Sequence, residues 1–191
     1  TNFHEEKYDM GRMFGFAYGE KENGAVFSHM TVMYAYALYK RGFVLEGYKA
    51  LQTLIDASMN FGTSKIYPGV PEYFDGKGRG MYHYLTGAAS WYMLTLLTLV
   101  YGVHGELGDL VLEPKLVANQ FDEKHEASVE FLYMGKRFNI VYHNDANAEY
   151  GKYKIVNVEC NKNVEVTMED TKVTIKKEDI LNLEKGVCRI D

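Results

Sequence analysis

Hydrophobic residues are spaced along this chain with two different periods, and the change falls near residue 105. Before it, apolar positions come in long runs or at helical spacing. SHMTVMYAYALYKRG, Ser28 to Gly42, is apolar on nearly every face until Lys40, and a helix that is apolar all round must be covered all round. The next segment, FVLEGYKALQTLIDASMN, is amphipathic, with Val44, Tyr48, Leu51, Leu54 and Ile55 on one stripe. LTGAASWYMLTLLTLVYG, Leu85 to Gly102, is again apolar almost throughout, and Gly42 and Gly102 mark helix ends. Fully wrapped helices alternating with half-exposed ones are what a double-layered helical barrel needs. Three helices do not close such a barrel and would expose more apolar surface than a monomer tolerates. The expectation is therefore the end of a larger helical domain.

After Gly105 the period becomes two. LVLEP, ASVEFLYMG, KRFNIVYHN, KYKIVNVEC, NVEVTMED and KVTIKK are short alternating segments, separated by turn residues such as Met134-Gly135, Asn144-Asp145 and Asn161-Lys162-Asn163. In NVEVTMED, Val164, Val166 and Met168 face one way while Glu165 and Thr167 face the other. This pattern predicts a half-buried antiparallel sheet, most economically a jelly-roll-like β-sandwich. The chain thus reads as α plus β, with a helical part over residues 1–105 and a β-sandwich over residues 106–191.

One connection is too long to be a simple linker. NFGTSKIYPGVPEYFDGKGRGMYHY, Asn60 to Tyr84, is rich in glycine and aromatic residues, and ordered loops of this length are usually functional. Tyr67, Tyr73, Phe74, Tyr82 and Tyr84 offer flat faces of the kind sugars stack on, or else pin the loop to the helices.

Composition narrows the picture further. Apolar residues make up 47% of the 191-residue chain and aromatics 14%, ample for a packed core. The net charge of −5 is mild and no Lys/Arg cluster runs along a face, which argues against nucleic acid or an anionic membrane as partner. No run reaches the roughly 20 apolar residues of a membrane helix. Two cysteines, Cys160 and Cys188, are too few for a disulfide framework, so a reduced cytoplasmic setting with both as small buried thiols is expected. TNFHEEKYDM, at the start, is polar and acidic and does not read as a signal peptide. It lacks an initiator methionine, which fits a chain that begins in the middle of something.

Candidate chemistry gathers at two places. KENGAVFSHM, Lys21 to Met30, sets a lysine, a glutamate, an asparagine and a histidine directly ahead of an apolar helix. In LTGAASW, Thr86 stands where a helix begins, with Gly87 behind it. Thr86 is a good N-cap, but a helix N-terminus also suits an oxyanion, and glycine admits one close to the backbone. His29 ahead of an apolar run reads more often as a hydrogen-bonded structural residue than as an anion contact, and Lys21 and Glu22 read as a solvated pair. No cluster has metal-ligand spacing, and no glycine-rich loop follows a strand in the phosphate-binding pattern.

Taken together, KENGAVFSH, YPGVPEYF, YLTGAASW and GELGDLVLEPKL resemble, in that order, the C-terminal part of the glycoside hydrolase family 94 phosphorylases, over about residues 15–118. The resemblance implies the last helices of an (α/α)6 barrel followed by a β-sandwich. It also implies reversible, inverting phosphorolysis of a β-linked gluco-oligosaccharide to α-glucose 1-phosphate, with inorganic phosphate as substrate and no cofactor or metal. By the matching positions Lys21 and Glu22 look like sugar contacts, and His29 with Thr86 and Gly87 like phosphate contacts. Glu72 stands in VPEYF, where the family often carries a glutamine near phosphate; an acid there needs a cation or a sugar hydroxyl beside it. The family's catalytic acid lies upstream of KENG, so none is assigned here and the chain is expected to carry part of a site. Family members are commonly homodimers. The rival readings are a helical-barrel glycoside hydrolase and a non-catalytic carbohydrate-binding module, with a cyclic-glucan synthase segment as a third.

Overall fold

The computed structural model describes residues 4, 7–66, 69–82, 87–160 and 164–191. The chain divides into two compact units, Thr1–Thr95 and Leu96–Asp191, so the division falls earlier than the expected one after Gly105. The reason lies in the run that reads as one helix from Leu85 to Gly102. Its regular α-helical part ends at Thr95, and Leu96–Val100 forms a π-helical turn. Val100 is fully buried and its carbonyl accepts a hydrogen bond from the Lys115 N–H at 2.9 Å, which ties this turn to the second unit.

The first unit holds strand β1 (Val26–Phe27), helices α1 (Ser28–Lys40), α2 (Val44–Met59) and the one-turn α3 (Phe61–Ser64), strands β2 (Tyr73–Phe74) and β3 (Gly80–Met81), and helix α4 (Gly87–Thr95). The amphipathic stripe on α2 packs as its period predicts: Val44, Leu51 and Leu54 are buried, with Tyr48 and Ile55 partly covered. On α1, apolar on nearly every face, only one side is covered within this unit. Ser28, Val32, Ala35 and Tyr39 form one buried stripe, while Met30, Met33 and Tyr34 are exposed. Within the unit α1 is packed by α2, α4 and the ends of β1 and β2, which cover one side of it. Met93 and Leu94 on α4 are exposed as well. The closed barrel to which these helices are expected to belong is not formed by the described residues. Val32, Leu54 and Phe74 form a buried cluster, with Val70, Trp91 and Tyr92 packed against it.

The second unit is sandwich-like, with two four-stranded sheets. One contains β4 (Val103–Glu106), β5 (Asp109–Leu112), β9 (Val166–Met168) and β10 (Val173–Ile175) in the order β4-β5-β10-β9, and it is antiparallel throughout. The other contains β6 (Glu126–Tyr133), β7 (Lys136–His143), β8 (Val158–Cys160) and β11 (Lys185–Ile190) in the order β6-β7-β11-β8. A short helix α5 (Lys177–Asn182) lies between β10 and β11 in the chain. Leu110, Val111 and Leu112 are all fully buried, so β5 is a central strand covered on both faces, which is why LVL does not alternate. Met134 and Gly135 take positive φ at the β6–β7 hairpin, the backbone that a tight two-residue turn demands. At Gly102, φ is +70° and a Cβ would lie 2.0 Å from the Glu113 carbonyl oxygen; only glycine fits this approach.

Three features differ from expectation. β7 and β11 run parallel, with Arg137 to Tyr142 opposite Lys185 to Ile190, so the second sheet is mixed. Met168 is exposed, although its period aligns it with the half-buried Val164 and Val166. Cys160 and Cys188 are not separate thiols: they face each other across β8 and β11 and form a disulfide. Among the described residues no helix is long and apolar enough to cross a membrane.

Cys160→Ser should lower the unfolding free energy of the second unit by about 3–4 kcal/mol, the loop-closure magnitude for a link spanning 28 residues. Urea unfolding with and without reductant measures it, and a wild type insensitive to reductant would contradict it.

Candidate functional site

The polar segment before α1 folds into a tight turn. The Asn23 N–H donates to the Glu20 carbonyl at 2.9 Å, the Gly19 N–H donates to the Asn23 carbonyl at 2.8 Å, and Lys21 is held at φ +42°. Asn23 is buried, and its amide donates to the Phe16 carbonyl at 2.8 Å. A left-handed lysine is an uncommon conformation, and here it sets the direction in which the Lys21 side chain leaves the turn.

The second component is the three-stranded sheet in the long loop. β1 pairs with β2, and β2 with β3. The ladder runs on beyond the strands, because the Ser28 N–H donates to the Glu72 carbonyl at 2.9 Å. Asp75 closes the β2–β3 hairpin by accepting from the backbone N–H groups of Lys77 and Arg79. Gly19 brings the turn against this hairpin: its φ is +92°, and a Cβ would sit 2.8 Å from the Gly76 backbone nitrogen.

These two pieces meet at the lysine. Lys21 Nζ lies 2.8 Å from Glu72 Oε2, with side chains only 14% and 24% exposed. The ammonium sits 3.8 Å from the ring centroid of Tyr82 and 5.0 Å from that of Tyr73, which is within cation–π range. The Tyr73 hydroxyl donates to Glu20 Oε2 at 2.8 Å. Its pKa is pushed well above the usual phenol value, first by desolvation and then by this carboxylate, so it remains a donor. Tyr82, held at φ +56°, is the exposed aromatic of the group. The loop aromatics therefore divide: Tyr73 and Phe74 are buried anchors, whereas Tyr82 presents a ring to solvent. Tyr67 and Tyr84 lie outside the described residues.

The expected site residues are placed as follows. Lys21 and Glu72 are brought together, and Lys21 is the cation that an acid at position 72 requires. Glu22 points elsewhere. It pairs with Arg12 at 2.9 Å on an exposed face, and its carboxyl is held below the usual range first by its own backbone N–H and then by the guanidinium. The His29 ring packs edge-on against Phe27 at 5.4 Å, and Phe27 against Tyr73 at 5.5 Å. A continuous aromatic path therefore leads from His29 through Phe27 and Tyr73 to the lysine. Gly87 opens α4, with nothing within 4 Å of where a Cβ would stand. Thr86 lies outside the described residues. Glu20 and Tyr82 were not singled out as polar partners by sequence, and only their positions around Lys21 reveal them. Among the described residues no group of three or more His, Cys, Asp or Glu side chains is placed to hold a metal ion.

The Lys21–Glu72 contact predicts non-additive energetics. Glu72→Ala and Lys21→Met should each cost about 1.5–3 kcal/mol, and the double variant less than their sum by about 1 kcal/mol or more. Denaturant unfolding of the four proteins tests this, and strictly additive losses would remove the pair from the account.

No protein-family model and no curated protein matches this chain.

Proposed function

We propose that this chain supplies sugar- and phosphate-binding groups to an inverting glycoside phosphorylase of family 94. The observation that carries the reading is the Lys21–Glu72 pair at 2.8 Å, which joins KENG to VPEYF across the aromatic group of Tyr73 and Tyr82. Saccharide sites combine a flat apolar face with a few oriented polar groups. Tyr82 offers the first, and an ammonium and a carboxylate fixed against each other offer the second. A paired carboxylate keeps further lone pairs for hydroxyl donors.

The chemistry that follows needs little from the protein besides position and charge. Phosphate is itself the nucleophile, so no base is required to make one from water. It attacks the anomeric carbon in line as the glycosidic bond breaks on the opposite face, which converts a β-linkage into an α-1-phosphate. A carboxylic acid protonates the departing sugar oxygen; no residue of this chain is assigned that step. His29, Thr86 and the N–H groups at Gly87, where α4 begins, are the proposed anion contacts. Lys21 and Glu72 are the proposed sugar contacts; Glu22, turned toward Arg12, serves that role only by re-orienting. The reading brings with it a homodimer and a cytoplasmic setting.

The test is phosphate release from α-glucose 1-phosphate with a panel of β-linked glucose disaccharides as acceptors, on the protein that carries this chain. Acceptor-dependent phosphate release is expected, and in the reverse direction sugar release from the β-linked oligosaccharide should require added phosphate. His29→Ala should weaken phosphate use by roughly ten- to a hundredfold, as loss of a charge-assisted contact does, with a smaller effect on the sugar KM. Sugar release that ignores phosphate would replace this reading with a hydrolase, and unchanged phosphate dependence in the variant would remove His29 from the site.

A further inference from the structure

The second unit contains a half-open cavity of about 300 Å³, at the lower end of the range that small molecules occupy. Its walls are mostly apolar, with Leu116, Phe121, Tyr142, Tyr153, Ile155 and Ile190 prominent.

The polar groups around it are largely committed to one another. The Tyr142 hydroxyl donates to the Tyr101 carbonyl at 2.6 Å, and the Tyr153 hydroxyl donates to the Leu116 carbonyl at 2.9 Å while accepting from the Leu116 N–H. Both rings are thereby anchored with their hydroxyls on backbone partners, which leaves ring surface to the cavity. The Asn144 side chain is closed on Ala148 through both its amide groups. His143 stands between two carboxylates, with Nε2 3.1 Å from Asp145 and Nδ1 3.2 Å from Asp191. Asp191 also accepts from Asn157 and Arg189. Lys154 is paired with Asp170.

Lys152 is the exception. It lines the same cavity, and its ammonium takes part in no ion pair among the described residues. A hydroxyl-rich ligand is a poor match for these walls, because its hydroxyls would lose water without gaining partners. A ligand with an apolar body and one acidic group matches both features, since the body fills the dry interior and the acid meets Lys152 at the rim. We propose that this cavity is a binding site for a small amphipathic anion, an aromatic or branched apolar carboxylic acid. The site lies within the second unit, and the proposal does not rest on the phosphorylase reading.

The experiment is a backbone-amide NMR titration of the 191-residue chain with 2-naphthoate, alongside 2-naphthylmethylammonium and cellobiose. Naphthoate should give saturable shifts confined to residues 116–121, 142–156 and 190–191, with the ammonium analogue weaker. Lys152→Glu, a change at an exposed side chain, should weaken naphthoate by roughly three- to tenfold. Ala146→Trp, which fills the cavity mouth while keeping every hydrogen bond named above, should abolish the shifts. The proposal fails if naphthoate leaves these residues unmoved, or if Lys152→Glu does not weaken it. It fails equally if the ammonium binds as tightly, or if cellobiose shifts the same residues and the acid does not.

Discussion

An ammonium withdrawn from water must be compensated where it stands, and the first unit is organised around that requirement at Lys21. Its side chain is only 14% exposed, so carboxylate and aromatic faces have to be supplied from another part of the chain. Glu72, Tyr73 and Tyr82 do so, and they reach it because β2 and β3 return the long loop to the front of α1. The rest of the local geometry follows from this meeting. Gly19 must be a glycine to let the turn touch the hairpin. Two non-glycine residues, Lys21 and Tyr82, are held at positive φ, a strain that the packing around them sustains.

The second unit meets the same constraint by a different route. Its half-buried polar groups find partners among themselves, through tyrosine hydroxyls on backbone carbonyls and a chain of side chains running from His143 through Asp191 and Arg189 to Glu126, with the exposed Asp145 at the His143 end. Asp191 is held below the usual carboxyl range, first by its hydrogen bond from Asn157 and then by Arg189. Such a network is self-contained: it fixes one end of the sheet without leaving polar groups in need of a ligand. An apolar cavity is what remains, and Lys152 stands out because it is outside the network. The disulfide adds covalent closure to β8 and β11, the strands that complete this sheet.

Much of this architecture is legible in the order of residues. The α2 stripe, the Met134-Gly135 hairpin, the sheet half with period two and the prominence of the Asn60–Tyr84 loop all follow from local pattern, because periodicity and turn chemistry act over a few residues. Strand β4 is hidden because Val103 continues an apolar helical run, and β11 because Cys188 and Ile190 alternate over too short a stretch to register. The parallel pairing of β7 with β11 and the disulfide are contacts between distant positions, and local spacing carries no trace of either.

The candidate site divides in the same way. Sequence determined that a lysine, a glutamate and several aromatics stand in two motifs near an apolar helix, since residue identity alone does that. Only the tertiary structure decided that Lys21 pairs with Glu72 while Glu22 turns to Arg12, that Tyr73 is an anchor and Tyr82 is exposed, and that Lys152 faces a cavity. The physical reason is that a side chain's partner depends on backbone direction and on what else is withdrawn from water beside it. Both are properties of the folded chain and are not carried by any single segment.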